Sequence, residues 1–369
     1  MHITSIRLHN FRSYTDLCFE PAPGLNVIVG ANAAGKTNVL ESIFLSAIGR
    51  SHRTSKDLEL INSASLGGYV GINLTSRAGR RSIEMKLRRS ESMPSRGGGK
   101  QLLIDGQKVQ RIGELMGVLN AVMFSPEDLS IVKSSPQERR RFMDMELCQL
   151  KPTYFYRLQQ YNAALKQRSA MVSLHTAPDP AMLDVWNERL AAVGGEVMTA
   201  RQSFMDDIST IANDLHRRIT GNAEQLFAYY KPNVLFEGNP SAALYEALTI
   251  SLSDDLRRGY TTRGPHRDDI GILLGDTQVK SFGSQGQQRT AALSIKLSEL
   301  ALMKRDKGES PILLLDDVLS ELDRDRQRAL LSNAFDCQCF LTTTTLDGLE
   351  GLKNMAVFEC ADGTLTRII

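Results

Sequence analysis

The sequence predicts an α/β domain built on a mixed sheet, split along the chain and interrupted by a lobe of helices. Three observations predict it. An apolar run, a glycine-bearing loop and a helical pattern follow one another at residues 25–49. A second apolar run, ending in paired acids, stands at 311–317, more than 250 residues further on. Between the two, three long segments carry apolar residues at helical spacing.

The bulk numbers suit that class. The 369 residues are 42% hydrophobic and 23% charged, enough for at least one full core and far from a disordered composition. Lys and Arg number 44 against 42 Asp and Glu, a net charge of +2. That balance excludes a globally basic DNA-coating protein but not a local basic surface. Five cysteines, at 18, 148, 337, 339 and 360, show no zinc-binding spacing, because Cys337 and Cys339 have no second pair. They read as reduced, buried thiols, as in a soluble cytoplasmic protein. The six histidines are scattered and suggest no metal cluster, and no apolar run reaches 18 residues. The start, "MHITSIRLHNFRSY", alternates like a strand and does not read as a signal peptide.

Residues 25–29, "LNVIV", lie between Gly24 and Gly30 and read as a buried strand. Gly30, Ala31, Asn32, Ala33, Ala34, Gly35, Lys36 and Thr37 then fit the phosphate-loop pattern G-x4-G-K-[ST] in full, with Asn38 following. Val39, Leu40, Ile43, Phe44, Ala47 and Ile48 fall at helical spacing, and Gly49 ends the run. The glycines allow several backbone N–H groups to aim at phosphate oxygens, and the helix N-terminus adds partial positive charge. Lys36 can reach the β- and γ-phosphates, and the Thr37 hydroxyl can ligate Mg²⁺. The bland alternative is an accidental glycine turn, against which the strand–loop–helix order speaks.

The helical lobe follows. Ser135, Pro136, Gln137 and Glu138 form a capping box with proline at the first helical position, and the helix should run to near Leu150, stopped by Pro152. A second helix follows through Tyr154, Leu158, Tyr161 and Leu165. After "APDP" at 177–180, a third carries Leu183, Trp186, Leu190, Val193, Val197, Phe204, Ile208 and Leu215. Gly194 and Gly195 are a candidate kink in it, and Gly221 its end. These segments make a compact arm and not a heptad rod. The expected division is a nucleotide lobe of residues 1–120 and 262–369 around an inserted arm at 121–261.

The late half of the site begins at "PILLLDD", 311–317. Its apolar residues make a central strand whose C-terminal edge carries the acids, where open α/β sheets place ligands. Asp316 can hold Mg²⁺, and Asp317 can polarise an attacking water. Paired acids after a strand are also a helix-start signal. Upstream, "FGSQGQQRTAALSIKLSELALM" from 282 opens with a capping box, Ser284 to Gln287. Its glycine-bearing, neutral helix start is either a second anion site or only a capped helix.

Phosphate loop, Ser-x-Gly-Gln helix start, then "ILLLDD" followed by Ser320-Glu-Leu-Asp323, is the order found in ABC-type ATPases. It resembles the DNA-repair branch of that group, which includes the SMC proteins. The resemblance implies an ABC-type P-loop ATPase head, a mixed sheet with a central P-loop helix, carrying an inserted helical lobe. It implies that the serine-glycine helix start of one subunit caps the γ-phosphate held by another. Ser284, Gly286 and Gln287 match that signature, while Gly283 and Gln285 replace its usual leucine and first glycine. Residues 320–323 match the loop that communicates between the two sites. The group's switch histidine has no match; Thr342, Thr343, Thr344 and Thr345 stand there instead.

"NFRSY" (10–14), "VMFSPEDLSIVKSSPQERRRFMD" (122–144), "TTRGPHRDD" (261–269) and "GSQGQQRT" (283–290) together are similar to the RecF family along essentially the whole chain. That similarity implies ATP and Mg²⁺ as cofactors, an ATP-dependent homodimer, and binding to single-stranded, duplex or junction DNA. It implies action with RecR and RecO in directing RecA to gapped DNA, in support of replication restart and the SOS response. The substituted signature and missing histidine motivate a slow, DNA-stimulated ATPase that works as a timer. Two rivals stand beside it: a switch that binds ATP without hydrolysing it, and the ATPase subunit of a membrane transporter, which usually shows a closer signature and the histidine. Ser125, Pro126, Glu127 and Asp128 lie where ABC proteins keep a γ-phosphate-sensing glutamine, and read equally as a turn. Residues 261–269 read as a structural hinge with salt bridges. The candidate DNA contacts are Arg80, Arg81, Arg88, Arg89, Arg96 and Lys100, then Arg139, Arg140 and Arg141. Each competes with the reading of a solvated charged face.

Overall fold

The computed structural model describes every residue except 90–97, 129–130, 174–177, 335, 348 and 350–354; the side chains of 333 and 334 are also outside it. Arg96 therefore lies outside the described residues. The chain divides into two compact units, Met1–Leu129 with Lys296–Ile369, and Ser130–Ile295.

The first unit opens with β1 (His2–Phe11), β2 (Tyr14–Phe19), β3 (Leu25–Val29), α1 (Lys36–Ile48), β4 (Gly67–Ser76), β5 (Gly79–Arg89), β6 (Gly98–Ile104), β7 (Gln107–Lys108) and β8 (Ala121–Phe124). The second holds α2 (Pro136–Leu150), α3 (Pro152–Ser173), α4 (Pro180–Ile219), β9 (Leu226–Lys231), α5 (Pro240–Ile250), α6 (Leu252–Arg258), β10 (Asp269–Leu274), β11 (Thr277–Gln278) and α7 (Val279–Phe282). α8 (Gln285–Lys307) runs unbroken across the division at 295/296. β12 (Ile312–Asp316), α9 (Arg324–Ala334), β13 (Cys339–Thr343), β14 (Met355–Ala361) and β15 (Thr364–Arg367) complete the first unit.

One six-stranded sheet in that unit has the order β15-β14-β3-β13-β12-β8. Its strands from β14 to β8 are parallel, and β15 pairs antiparallel at the edge. Parallel strands covered on both faces need continuous apolar sequence, and β8 and β12 are buried at every residue. α1 is buried almost all round, and Gly49 ends it in the left-handed conformation at φ 74°. Lys100 Nζ donates to the Gly49 carbonyl at 2.9 Å and pairs with Asp57 at 2.8 Å, placing a cation where the helix dipole is negative. The other six-stranded sheet is antiparallel, in the order β2-β1-β4-β5-β6-β7.

In the second unit the predicted capping box forms: Ser135 Oγ accepts from Glu138 N, and the Glu138 carboxylate accepts from Ser135 N at 2.9 Å. The third predicted helix is α4, which passes through Gly194 and Gly195 without a break. The pair admits α5, since a Cβ on Gly195 would meet Ser241 Oγ at 2.1 Å. The division of the chain differs from the one drawn at 120/121 and 261/262. Residues 262–295 group with the helices because β10 pairs with β9 along six residues, Asp269 to Leu274 against Lys231 to Leu226. Among the described residues no helix is long and apolar enough to cross a membrane.

Candidate nucleotide site

β3, the loop and α1 stand in the order the pattern requires. Gly35 holds φ 111°, and a Cβ there would lie 2.7 Å from Ser13 Oγ, so both backbone and space demand glycine. Gly35 gives α1 no side-chain cap, and the first turn has no acid; the leading amides are not spent on a carboxylate. Lys36 Nζ donates to the carbonyls of Gly30 and Ala31 at 2.6 and 2.8 Å, folding the ammonium over the loop.

The turn between β1 and β2 mounts this loop, a role that the "NFRSY" motif alone did not reveal. Tyr14 OH donates to the Gly35 carbonyl at 3.2 Å, and Asn38 Nδ2 donates to Ser13 Oγ at 2.8 Å. Arg12 grips the fully buried Glu41 of α1 through Nε and Nη2 at 2.9 and 2.7 Å, a bidentate charge-assisted contact.

The late acids arrive beside the loop through β13, which lies between β3 and β12 and is paired with both. Asp316 Oδ1 accepts from Thr37 Oγ1 and from Thr342 Oγ1, each at 2.8 Å. The backbone N of Asp317 donates to the same Thr342 Oγ1 at 3.0 Å, while Asp317 itself holds φ 50°, unusual for a residue other than glycine. Partial burial pushes the Asp317 carboxyl above its usual range, Lys36 opposes this, and Asp316 and Glu321 add to it. The pair 316–317 is thus bonded to Thr342, and through Asp316 to Thr37 at the start of α1. Where a switch histidine was sought, Thr342 ties the two acids together.

A hydroxyl and a carboxylate oxygen 2.8 Å apart fit Mg²⁺. That ion takes few protein ligands and completes its shell with water and phosphate oxygens. Sequence reading also passed over His52. Its Nδ1 is buried without a hydrogen-bond partner, and its ring meets Phe44 edge-on at 5.5 Å. Burial lowers its pKa, with Glu41, Asp316 and Asp128 pulling the other way.

The signature residues belong to the second unit. Ser284 N donates to Gln287 Oε1 at 2.8 Å, and Gln287 N to Ser284 Oγ at 3.2 Å, the reciprocal box expected there. Gln287 Nε2 then donates to Glu224 at 2.8 Å, whose other oxygen stands 3.2 Å from Nε2 of the buried His216. His216 Nδ1 lies 3.2 Å from Ser294 Oγ on the same helix as the signature. Glu224 carries no motif around it, so nothing in the sequence marked it.

The connecting motifs are structural in geometry. Asp128 Oδ2 accepts from Ser125 N and Oγ at 2.8 Å each, closing a turn. Ser320 Oγ donates to the Asp317 carbonyl at 2.8 Å, and Asp323 caps α9 by accepting from Arg326 N at 3.0 Å. In 261–269, Asp268 is fully buried against Arg201 at 2.9 Å, and Asp269 pairs with Arg139. That pairing removes Arg139 from the surface cations. It is 3% exposed, with Nε and Nη2 on Asp269 and Nη1 on the Ser134 carbonyl. Arg140 donates to the Asp268 carbonyl and Arg89 to the carbonyls of Leu58 and Ile61. Arg81 is tied to Asp105 at 2.6 Å. Arg80, Arg88 and Arg141 are exposed. Four cysteines are buried as read, and Cys18 faces outward.

The profile described as RecF/RecN/SMC N terminal domain matches residues 2–364. The chain is 41% identical over 372 residues to the DNA replication and repair protein RecF of Alkaliphilus oremlandii, covering 99% of this chain and all of that one. It is 43% identical over 357 residues to the protein of the same description from Acetivibrio thermocellus, covering 95% of each. A solved structure of "the recombination mediator protein RecF-ATPrS in RecFOR pathway" superimposes with a TM-score of 0.91 at 32% identity, over 100% of this chain and 98% of that one. An SMC head bound to the C-winged helix domain of ScpA shares the fold at a TM-score of 0.56 and 15% identity.

Proposed function

Because the chain belongs to the RecF/RecN/SMC N-terminal domain family, we propose that it is an ATP-dependent DNA-binding protein of recombinational repair. ATP closes two copies into a dimer that holds DNA at gaps and, with RecR and RecO, helps direct RecA there, supporting replication restart and the SOS response. The observation that carries the reading is the convergence of Thr37 and Thr342 on Asp316 Oδ1, each hydroxyl at 2.8 Å, at the start of α1.

Each residue then has a chemical task. The loop amides and Lys36 bind the β- and γ-phosphates. Thr37 and Asp316 would hold Mg²⁺, which would neutralise phosphate charge when bound. Asp317, its affinity for a proton raised by its surroundings, accepts the proton of the attacking water. Ser284, Gly286 and Gln287 of a second copy complete the cage, so the nucleotide joins the protomers. Hydrolysis is slow and limits how long the closed dimer stays on DNA.

Light scattering with ATP, without ATP and with Lys36→Met tests this. The wild type pairs only with ATP, and the variant does not pair at all. A wild type that binds ATP yet stays monomeric at micromolar concentration rejects the mechanism. Phosphate release with and without DNA then separates a timer from a switch that never hydrolyses.

A further inference from the structure

The outer face of the three-stranded sheet in the second unit carries a row of side chains that the nucleotide chemistry does not use. β9 alternates, with Leu226, Ala228 and Tyr230 buried toward α4 and Phe227, Tyr229 and Lys231 turned out. Phe227 is 42% and Tyr229 40% exposed, high for large rings on a strand. Tyr229 sits opposite Gly271 of β10, and its ring lies across that glycine: a Cβ on Gly271 would be 2.1 Å from Tyr229 Cζ. The missing side chain lets the ring rest on the sheet, fixed before any ligand arrives. At the Lys231 end, Val132 and Pro136 wall a cavity of about 220 Å³ that also takes in Tyr229 and Lys280. The carboxylate there, Asp269, has both oxygens taken by Arg139 at 2.6 and 2.8 Å. Lys231 and Lys280 therefore set the sign of the groove.

We propose that this face is a binding site for single-stranded DNA, with bases stacked on Tyr229 and Phe227 and phosphates held by Lys231 and Lys280. It rests on the DNA-binding reading above and goes beyond it in naming the strandedness and the surface. Rings at positions i and i+2 of a strand stand about 6.8 Å apart, so successive unstacked bases each find a platform. Outward aromatic residues on a sheet bind single strands in this way, whatever their sequence. A duplex keeps its base faces inside the stack and offers only its phosphates, so it gains nothing from the rings.

The test titrates the full-length protein, with Mg²⁺ and ATP, against a fluorescent 12-residue oligo-dT and against a blunt 12-base-pair duplex. Tyr229→Ala and Phe227→Ala should each weaken oligo-dT binding on the order of tenfold and leave duplex binding unchanged. Tyr229→Phe, which keeps the ring, should bind as the wild type does. Gly271→Ala, which displaces the ring without removing it, should behave like Tyr229→Ala. Unchanged oligo-dT binding in Tyr229→Ala and Phe227→Ala overturns the site, as does a parallel loss for both DNAs. A wild type that binds neither DNA overturns the DNA-binding reading itself and takes this site with it.

Discussion

Replacing Thr342 by valine isolates the hydroxyl that organises the two acids. Thr342 is 1% exposed, donates to Asp316 Oδ1 at 2.8 Å and accepts from Asp317 N at 3.0 Å. Valine fills nearly the same volume, so the change removes one oxygen and leaves the packing of β13 in place. A hydrogen bond to an ionised acceptor is worth about 1.5–3 kcal/mol, and an amide left unmet about 1–3 kcal/mol. Water reaches the exposed Asp317 and offsets part of the second loss, so the expected total is roughly 2–4 kcal/mol. Urea unfolding should show it as a lower midpoint at unchanged slope. The chemistry should suffer more. Asp317 holds a left-handed conformation that costs on the order of 1–3 kcal/mol, and the bond from its amide to Thr342 helps to keep it there. Released, its carboxylate shifts, and a misplacement of about 1 Å costs on the order of 100-fold in rate. Nucleotide affinity should hold, because Lys36 and the loop are untouched, and Thr342→Ser should restore both stability and rate. Wild-type phosphate release from Thr342→Val at wild-type stability would refute the idea that this hydroxyl aligns the acids.

Four further outcomes follow from other parts of the structure. His266 is held neutral by burial, its pKa lowered to about 4, with Tyr161 OH 2.7 Å from Nδ1 and the Thr261 carbonyl 3.0 Å from Nε2. Its folded pKa lies below the unfolded value, so as pH falls the unfolded chain binds the proton first. Up to about 3 kcal/mol of stability, complete above pH 6.5, should drain away between 6.5 and about 4, and His266→Gln should flatten that part of the urea-midpoint profile. Arg139→Ala, which strands Asp269, should cost about 3 kcal/mol in urea unfolding with little change in the salt dependence of DNA binding. Arg141→Ala should leave stability alone and reduce the log–log salt slope of DNA binding by about 0.9; an unchanged slope removes Arg141 from the phosphate contacts. Glu224→Ala frees the Gln287 amide, and should weaken ATP-induced association on the order of tenfold while ATP binding to the monomer, read by nucleotide fluorescence, stays level.

What the sequence made legible was local. The loop from Gly30 to Thr37 and its helix follow from residue type and spacing over 25 residues, and both boundary glycines sit where expected. The capping boxes at Ser135 and Ser284 and the strand ending at Asp316 are equally local patterns. Thr342 was visible only as something standing where a histidine was missing; its contact with both acids depends on β13 falling between β3 and β12, which no short window encodes. The burial of Arg139 was hidden for the same reason. In sequence it is one of three consecutive arginines, and its partner Asp269 stands 130 residues away. A charge run looks solvated until the strand that buries it is known. A boundary at 261/262 suggests itself in the sequence because Gly264 and Pro265 punctuate the chain like a linker, whereas in the structure β10 continues the sheet begun by β9.

The strand order leads to one more expectation. Every motif recognised in the sequence ends by Thr345, yet β3 is flanked by β13 on one side and by β14, residues 355–361, on the other, both more than 300 residues later. β14 also backs the loop directly: Cys360 Sγ contacts the Ala34 carbonyl at 3.3 Å and Tyr14 OH at 3.4 Å, the same tyrosine that supports Gly35. A chain ending at residue 349 retains the loop, both acids, Thr342 and the signature, but leaves one edge of β3 with five unpaired residues and removes that backing. Unpaired backbone groups in a buried strand are costly, so β3 should fray and the loop lose its set of inward N–H groups. Equilibrium dialysis with labelled ATP should find affinity reduced at least on the order of 100-fold, the equivalent of about 3 kcal/mol. If the shortened chain binds ATP as tightly as the whole one, the phosphate loop is self-sufficient, and the long-range pairing serves stability alone.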